Sequence, residues 1–242
     1  MSVIAVIPAR GGSKRIPRKN AREFCGKPMI VWSIEAAQRS GLFDRVIVST
    51  DDAEIKAISL RAGAEVPFDR PDSLSDDHTG TVAVVAHAVR HLMEQGERVQ
   101  SVCCLYATAP FIRVEDLSAG YKTLVEGKWE FVFSAAEFAA PIWRSFEISA
   151  SGEVRMFFPE HESRRSQDLP KAWHDAAQFY WGRAEAWTTR TAIFGPHSTA
   201  ICLPRWRVHD IDTPEDWEAA ERMAAIALHE GERPLTERGD PA

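Results

Sequence analysis

The chain has 242 residues, of which 45% are hydrophobic and 26% are charged, which is enough for one large α/β domain. Its 29 basic and 35 acidic side chains give a formal net charge of −6, which argues against a nucleic-acid binder or a binder of anionic membranes. The apolar runs are strand-sized, well short of the roughly 20 residues that span a bilayer. Without a basic and apolar leader, the expected location is the cytoplasm.

Strand-like and helix-like segments alternate through the first half of the chain, which predicts a mainly parallel sheet covered by helices. Strands are predicted at residues 3–7, 45–50, 65–68, 100–106 and 131–136. Apolar residues at a period near 3.6 predict helices at residues 28–39, 53–62, 81–94 and 114–126.

This alternation breaks between residues 141 and 171. Residues 146–158 predict a hairpin that turns at Ser151 and Gly152, and a polar, charged loop follows at 159–171. That loop is either a solvated arm or a segment that contacts a substrate or a partner.

The last part of the chain resumes regular structure. Strands are predicted at residues 177–181 and 200–203, with a short helix at 183–190 between them. Thr213 and Pro214 mark the start of a final helix that runs to about residue 228. The polar tail at 231–242 is predicted to be disordered.

A basic loop directly follows the first predicted strand. Residues 7–20 read IPARGGSKRIPRKN and carry five cations without an acid: Arg10, Lys14, Arg15, Arg18 and Lys19. Gly11, Gly12 and Ser13 allow backbone N–H groups to turn toward phosphate oxygens. The loop matches neither G-x-x-x-x-G-K-[ST] nor G-x-G-x-x-G, which disfavours a P-loop kinase and a dinucleotide dehydrogenase. It therefore predicts a triphosphate site at the carboxyl end of the first strand.

Asp210 and Asp212 form a second candidate site, just before the final helix. In an extended segment residues i and i+2 point to the same side, so both carboxylates can converge on one hard cation such as Mg²⁺. Helix capping is the alternative interpretation of this acidic pair.

Five motifs together resemble the acylneuraminate cytidylyltransferase family, the CMP-sugar synthetases. They are PARGGSKRIPRKN at 8–20, VSTDD at 48–52, RPDSLSDDHTGT at 70–81, LYATAPF at 105–111 and DIDTPEDW at 210–217. Within the family the chain looks most like the branch that activates pseudaminic acid, through CGKPMI, SLSDDHTGT and RSQDLPKAWHDAAQFYWG.

The resemblance implies a single domain over residues 1–230 with a three-layer α/β/α, Rossmann-like nucleotide-diphospho-sugar transferase fold. It also implies CTP and a nonulosonic acid as substrates, CMP-sugar and pyrophosphate as products, and dependence on Mg²⁺. By the same resemblance the protein is a homodimer, and an excursion at about residues 137–176 contributes to the dimer and to the sugar site.

The same resemblance implies roles for individual residues. Nucleotide contacts fall on Arg10, Gly11, Ser13, Lys14, Lys19, Asn20, Arg70 and Thr81. The catalytic set is Arg10, Lys19, Asp210 and Asp212, and the two aspartates hold the metal. The sugar contacts are Tyr106, Arg165 and Gln178.

Tyr106 departs from the family pattern, because sialate enzymes carry Gln at this position. An apolar sugar pocket bordered by Tyr106, Ala107, Phe179 and Trp181 is therefore expected, with Gln178 available for an amide contact. The cation that binds the acceptor carboxylate is left open among Arg164, Arg165 and Lys171.

Two alternatives remain from the sequence alone. One is a sister enzyme that activates N-acetylneuraminate or an octulosonate and differs only in the acceptor pocket. The other is a non-enzymatic nucleotide sensor, which would need the basic loop but not the aspartate pair. The general base for attack of the anomeric hydroxyl on the α-phosphorus is not identified.

Overall fold

The computed structural model describes residues 1–189 and 192–230. In this part of the chain the strands are β1 (Ser2–Pro8), β2 (Glu23–Phe24), β3 (Lys27–Pro28), β4 (Arg45–Ser49), β5 (Val99–Leu105), β6 (Phe131–Glu137), β7 (Phe146–Ile148), β8 (Val154–Met156), β9 (Trp173–Arg183) and β10 (Ser198–Cys202). The α-helices are α1 (Met29–Ser40), α2 (Ala53–Arg61), α3 (Thr81–Glu94), α4 (Val114–Glu126), α5 (Ala184–Thr189) and α6 (Pro214–Glu230). The tail predicted to be disordered, 231–242, lies outside the described residues.

Six strands form the central sheet in the order β10-β6-β9-β5-β1-β4. β1 pairs in parallel with β4 and β5, and β10 pairs in parallel with β6. Only β9 in this sheet runs antiparallel to its neighbours, β5 and β6. Helices α1, α2 and α4 cover one face of the sheet and α3 and α5 cover the other. The predicted three-layer, mainly parallel α/β fold is confirmed.

Capping residues fix the two helices that begin near the site. The Asp52 carboxylate accepts hydrogen bonds from the backbone N–H groups of Glu54 and Ile55, which starts α2 directly after β4. At α6, the Asp216 carboxylate accepts from the Thr213 backbone N–H at 2.7 Å, and the Asp216 N–H donates to the Thr213 hydroxyl at 3.2 Å. These reciprocal bonds satisfy backbone donors that the first helical turn leaves unpaired.

Two strand predictions need correction. The predicted strand at 65–68 is wrong: it is reduced to a single bridge between Glu65 and Ile47, because Pro67 has no N–H to extend the ladder. The strand predicted at 177–181 is longer, since β9 begins at Trp173. A backbone irregularity at Ala177, with φ of 50°, interrupts the alternation of side chains along β9. The first part of the strand therefore lacks the alternating pattern by which a strand is predicted.

The segment between β6 and β9 leaves the sheet. It contains the predicted hairpin, β7 paired with β8, whose turn is closed by a hydrogen bond from the Ser149 N–H to the Glu153 carbonyl. Gly152 adopts φ of 88°, as the turn requires. The hairpin exposes Phe146, Ile148 and Val154 to solvent. None of the described helices is both long enough and apolar enough to cross a membrane.

Candidate active site

The carboxyl ends of β4, β1 and β5 lie side by side in the sheet. The chain leaves β1 toward β4 on one side and β5 lies on the other side, which makes the end of β1 the point where ligands bind in open α/β sheets. The basic loop follows β1, the acidic pair Asp51 and Asp52 follows β4, and Tyr106 follows β5. The fold therefore gathers three of the quoted motifs at one edge.

The basic loop is pinned at both ends by hydrogen bonds. The Asn20 side chain donates to the Arg10 carbonyl at 3.0 Å, and the Gly11 N–H donates to the Asp51 carboxylate at 3.0 Å. The Arg18 guanidinium donates two hydrogen bonds of 3.1 Å to the Asp52 carboxylate. A Cβ on Gly11 would lie 2.6 Å from Oδ2 of Asp52, so only glycine fits this approach. The loop is thereby held in place before any ligand binds.

Four of the loop cations are paired with two aspartates from distant segments. Arg10 and Lys14 both form ion pairs with Asp77. Arg15 and Lys19 both pair with Asp212, at 2.7 Å and 3.1 Å. The two sites predicted from sequence, the basic loop and the aspartate pair, are therefore one site.

Lys14 and Arg10 also govern the charge state of Asp77. Their hydrogen bonds and positive charges lower the pKa of Asp77 to about 2. Asp77 is thus anionic at neutral pH, and it holds the cations predicted to bind phosphate.

Asp210 and Asp212 have the chemistry of a divalent-cation site. Partial loss of hydration raises the pKa of Asp210, and the neighbouring charge of Asp212 raises it further. Within the described ranges the Asp210 carboxylate has no hydrogen bond or ion pair, so its oxygens are available to a hard cation. No third acidic, histidine or cysteine side chain joins them in that part of the chain. The residues therefore fit Mg²⁺ if phosphate oxygens and water complete the coordination.

Arg70 lies buried beneath the site and is 6% exposed. It donates from Nε to the Ser49 hydroxyl at 3.1 Å and from a terminal nitrogen to the Ser49 carbonyl. Burial lowers the pKa of Arg70 to about 10, against the opposing influence of Asp51. The side chain is thus charged at neutral pH and anchored to the end of β4.

Ser13, in the basic loop, uses its backbone N–H within the turn, donating to the Gly11 carbonyl at 3.0 Å.

Two of the three predicted sugar contacts are neighbours in the structure, since the Tyr106 N–H donates to the Gln178 carbonyl at 3.0 Å. The Thr81 and Tyr106 hydroxyls are 3.0 Å apart. Gln178 is 3% exposed and donates from Nε2 to the Arg207 carbonyl at 2.6 Å, so that nitrogen is already occupied. Arg165 lies on the excursion and pairs with Asp168 at 2.8 Å.

The prediction that Phe179 and Trp181 border the sugar pocket is wrong. Both side chains are fully buried in the core between the sheet and α4, and the Trp181 indole donates to the Leu117 carbonyl at 3.1 Å. The irregularity at Ala177 reverses which β9 side chains face which layer, and it is Tyr180 that packs toward Tyr106, with ring centroids 5.2 Å apart.

Three aspartates of the site had no role assigned from sequence. Asp51 and Asp52 anchor the basic loop, and Asp77 neutralises two of its cations. All three lie in the quoted motifs VSTDD and SLSDDHTGT, so the sequence did mark them as candidate site residues. Their roles could not be assigned from sequence, because the partner of each carboxylate depends on tertiary contacts.

Comparison with known proteins identifies the family. A model described as "Cytidylyltransferase" matches residues 4–197. The chain is 48% identical over 226 residues to the pseudaminic acid cytidylyltransferase of Campylobacter jejuni, covering 93% of this chain and 97% of that protein. It is 37% identical to the CMP-N,N'-diacetyllegionaminic acid synthase of Legionella pneumophila, with the same coverage.

The fold agrees with this assignment. The structure of a CMP:2-keto-3-deoxy-manno-octonic acid synthetase complexed with CTP superposes with a TM-score of 0.68 at 16% identity. That match covers 93% of this chain and 99% of the other. The family match over residues 4–197 and the 48% identity show that the chain belongs to the cytidylyltransferase family of enzymes.

Proposed function

We propose that this enzyme transfers CMP from CTP to the anomeric hydroxyl of pseudaminic acid and releases pyrophosphate. The observation that carries the proposal is the contact of Arg15 and Lys19 with Asp212, which joins a phosphate-binding loop to a cation site beside the carboxyl end of β1. The sugar is taken from the relative in Campylobacter jejuni, which is named for pseudaminic acid and is 48% identical.

The triphosphate is held by the basic loop. Arg10 and Lys14 exchange their contacts with Asp77 for phosphate oxygens, which keeps each cation paired in both states. Arg10 and Lys19 then neutralise the charge that accumulates on the departing pyrophosphate. In such a transfer the protein contributes mainly positioning and charge stabilisation.

Asp210 and Asp212 are the residues that would hold Mg²⁺. When bound there, the ion would polarise the α-phosphate oxygens as a Lewis acid. Lys19 also fixes this segment by donating to the Ile211 carbonyl at 2.7 Å, so the carboxylates are oriented by the loop that binds the leaving group.

The excursion is the proposed dimer interface. Phe146, Ile148 and Val154 on the hairpin are between 52% and 66% exposed, an apolar surface of the kind that marks a protein interface. In a homodimer this surface is covered, and Arg165 on the same excursion reaches the partner's acceptor site to bind the sugar carboxylate. The four cysteines are free thiols, which supports the proposed cytoplasmic location.

The experiment measures pyrophosphate release from CTP and Mg²⁺ with a panel of nonulosonic acids. Pseudaminic acid should give the highest kcat/KM, and Asp212→Asn should serve as the inactive control. A preference for N-acetylneuraminate or an octulosonate would reassign the acceptor and leave cytidylyl transfer intact. No pyrophosphate release with any acid would refute the proposal.

A further inference from the structure

Arg207 is a buried cation that lies outside the basic loop. It precedes Asp210 by three positions and is 5% exposed. Its guanidinium forms an ion pair with the Asp116 carboxylate in the first turn of α4, and the second terminal nitrogen donates to Oδ1 at 3.4 Å. A buried charge is costly unless it is paired in this way. The Arg207 side chain is therefore tied to α4.

The main chain of Arg207 is held separately, by Gln178. Nε2 of the buried Gln178 side chain donates to the Arg207 carbonyl at 2.6 Å. A carbonyl can only accept, so the carboxamide cannot flip without placing its own oxygen against the Arg207 oxygen. In the part of the chain that the structure describes, Oε1 of Gln178 and Nε of Arg207 are buried without a hydrogen-bond partner. Neither atom therefore supplies a contact that could replace the bonds to Asp116 and to the Arg207 carbonyl.

Gln178 is itself fixed within the sheet. Its carbonyl accepts from the Tyr106 N–H at 3.0 Å, and its N–H donates to the Ser134 hydroxyl at 3.2 Å. Both main-chain groups and the side-chain nitrogen of Gln178 are thus engaged. The side chain connects the ends of β5 and β9 to Arg207.

The segment after Arg207 is short and is fixed again at Ile211. Ile211 is fully buried in a cluster with Trp217, and its carbonyl accepts from Nζ of Lys19 at 2.7 Å. Asp210 lies between these two fixed points. Because so few bonds separate Asp210 from either point, a displacement of Arg207 is transmitted to the Asp210 backbone.

We propose that Gln178 and Asp116 are positioning residues that hold Arg207 and thereby place the Asp210 carboxylate for the divalent cation. The inference rests on the proposed function, because it takes Asp210 and Asp212 as the cation site. It gives Gln178 a role other than the sugar contact that the family resemblance implies.

Gln178→Leu removes the bond to the Arg207 carbonyl at similar volume. We expect the Kd of Mn²⁺ to rise at least ~10-fold, the size of effect typical of residues that orient metal ligands. This Kd is measured from the relaxation of water protons with CTP present and without the sugar. The Mg²⁺ concentration for half-maximal turnover should rise in parallel. At saturating Mg²⁺, kcat should stay within about threefold and KM for pseudaminic acid within about twofold of the wild type.

Trp187→Phe is the matched control. The buried Trp187 indole donates to the Val102 carbonyl at 3.2 Å, so this variant also loses a buried N–H···O=C bond. Trp187 lies in the core beneath α3 and α5, whereas Asp116 lies on α4 at the other face of the sheet. Tm should fall in both variants, and the Kd of Mn²⁺ should rise in Gln178→Leu alone.

A second pair of variants separates position from stability, and it keeps the test decisive if Gln178→Leu does not fold. Arg207→Met leaves the Asp116 carboxylate without its partner, and it should lower Tm and raise the Kd of Mn²⁺. Adding Asp116→Leu replaces the ion pair by two apolar side chains, a change that often restores stability. Because apolar contacts lack the direction of hydrogen bonds, Tm should recover in the double variant while the Kd of Mn²⁺ stays raised.

A Kd of Mn²⁺ that follows Tm across all these variants would overturn the inference, since a purely structural role predicts that result. An unchanged Kd in Gln178→Leu would also overturn it, and a higher KM for pseudaminic acid in that variant would restore Gln178 as a sugar contact. Wild-type Mn²⁺ affinity in Asp212→Asn would refute the cation site and the inference with it. Pyrophosphate release by the wild type tests the proposed function separately, because Mn²⁺ binding is measured without the sugar.

Discussion

Lys19 and Asp212 are 193 positions apart in the chain, yet Nζ of Lys19 lies 3.1 Å from Oδ1 of Asp212. Both side chains are largely shielded from solvent, with 17% and 29% exposed. The contact connects the loop after β1 to the segment that opens α6. The proposed leaving-group cation and the proposed metal-binding carboxylate thus orient each other before substrates arrive.

Asp212→Asn should lower kcat by roughly 100-fold or more while the protein stays folded, because a neutral amide weakens metal binding where charge develops in the transition state. Asp210→Asn should behave similarly. Turnover across an Mg²⁺ titration, with circular dichroism for folding, provides the measurement. Glu218→Gln is the matched control, since Glu218 is exposed on α6, pairs with Arg222 and should leave kcat near the wild-type value. If both variants kept wild-type rates at limiting Mg²⁺, the metal-binding role of Asp210 and Asp212 would be refuted and the helix-capping interpretation would stand.

Arg10→Ala and Lys19→Ala should each reduce kcat/KM for CTP by about 10- to 100-fold. Each substitution removes a charge-assisted phosphate contact worth on the order of 1.5 to 3 kcal/mol. Lys56→Ala, which removes a surface pair with Asp69, is the control for a general loss of positive charge. An unchanged kcat/KM for CTP in both loop variants would contradict the assignment of the phosphate site.

Asp77→Asn should change the dependence of stability on pH. The pKa of Asp77 is about 2 in the folded protein, below its ordinary value of 3.8. Its ion pairs therefore stabilise the fold above about pH 4, and this contribution is lost as pH falls through 2. The gap in Tm between the wild type and Asp77→Asn should be present at pH 6 and should narrow steadily below pH 4. A gap that is constant down to pH 2 would show that the ion pairs do not set it.

Pseudaminic acid should be preferred to N-acetylneuraminate by more than roughly 100-fold in kcat/KM at saturating CTP and Mg²⁺. It ends in a methyl group where the other sugar has a hydroxymethyl, and it carries two acylamino groups. At the proposed acceptor site, Tyr106 packs against Tyr180 and would offer pseudaminic acid an aromatic surface where sialate enzymes carry Gln. Tyr106→Gln should erode the preference. Equal use of both sugars by the wild type would leave a cytidylyltransferase without this specificity.

Ile148→Glu should dissociate the proposed homodimer and abolish most of the turnover. Ile148 is 66% exposed on the hairpin, and a charge buried there without a partner is costly to the interface. Leu60→Glu, at an apolar position of α2 that is 52% exposed, is the matched control. Light scattering coupled to gel filtration reports the mass. If the wild-type protein were monomeric at micromolar concentration, the proposed homodimer would be refuted.

Strong local patterns made much of the fold predictable. The apolar spacing of α3 predicts residues 81–94, the helix that forms, and Thr213 with Pro214 marks the start of α6. The direction of β9 and its irregularity were not predictable, because an alanine with positive φ leaves no signal in the sequence.

The site residues were easier to predict than their partners. The basic loop and Asp212 stood out by composition, whereas the choice of Asp77 as the partner of Arg10 required the folded chain, since Asp72 and Asp76 lie in the same segment. Phe179 and Trp181 were predicted to line a pocket because aromatic residues serve equally well in a core and in a binding site.

The position of β9 also determines when β6 can be joined to β5, β1 and β4 in one sheet during synthesis. β9 lies between β5 and β6, both of which precede it in the chain. Cys103 in β5 therefore has no strand partner on this side until Trp181 in β9 has been synthesised. Until then β5 has an unpaired edge that is apolar over residues 102–105, and such an edge is a template for association with other chains. Contacts this distant in sequence also slow folding. We therefore expect the nascent protein to be most prone to aggregation after β5 has emerged from the ribosome and before β9 has followed.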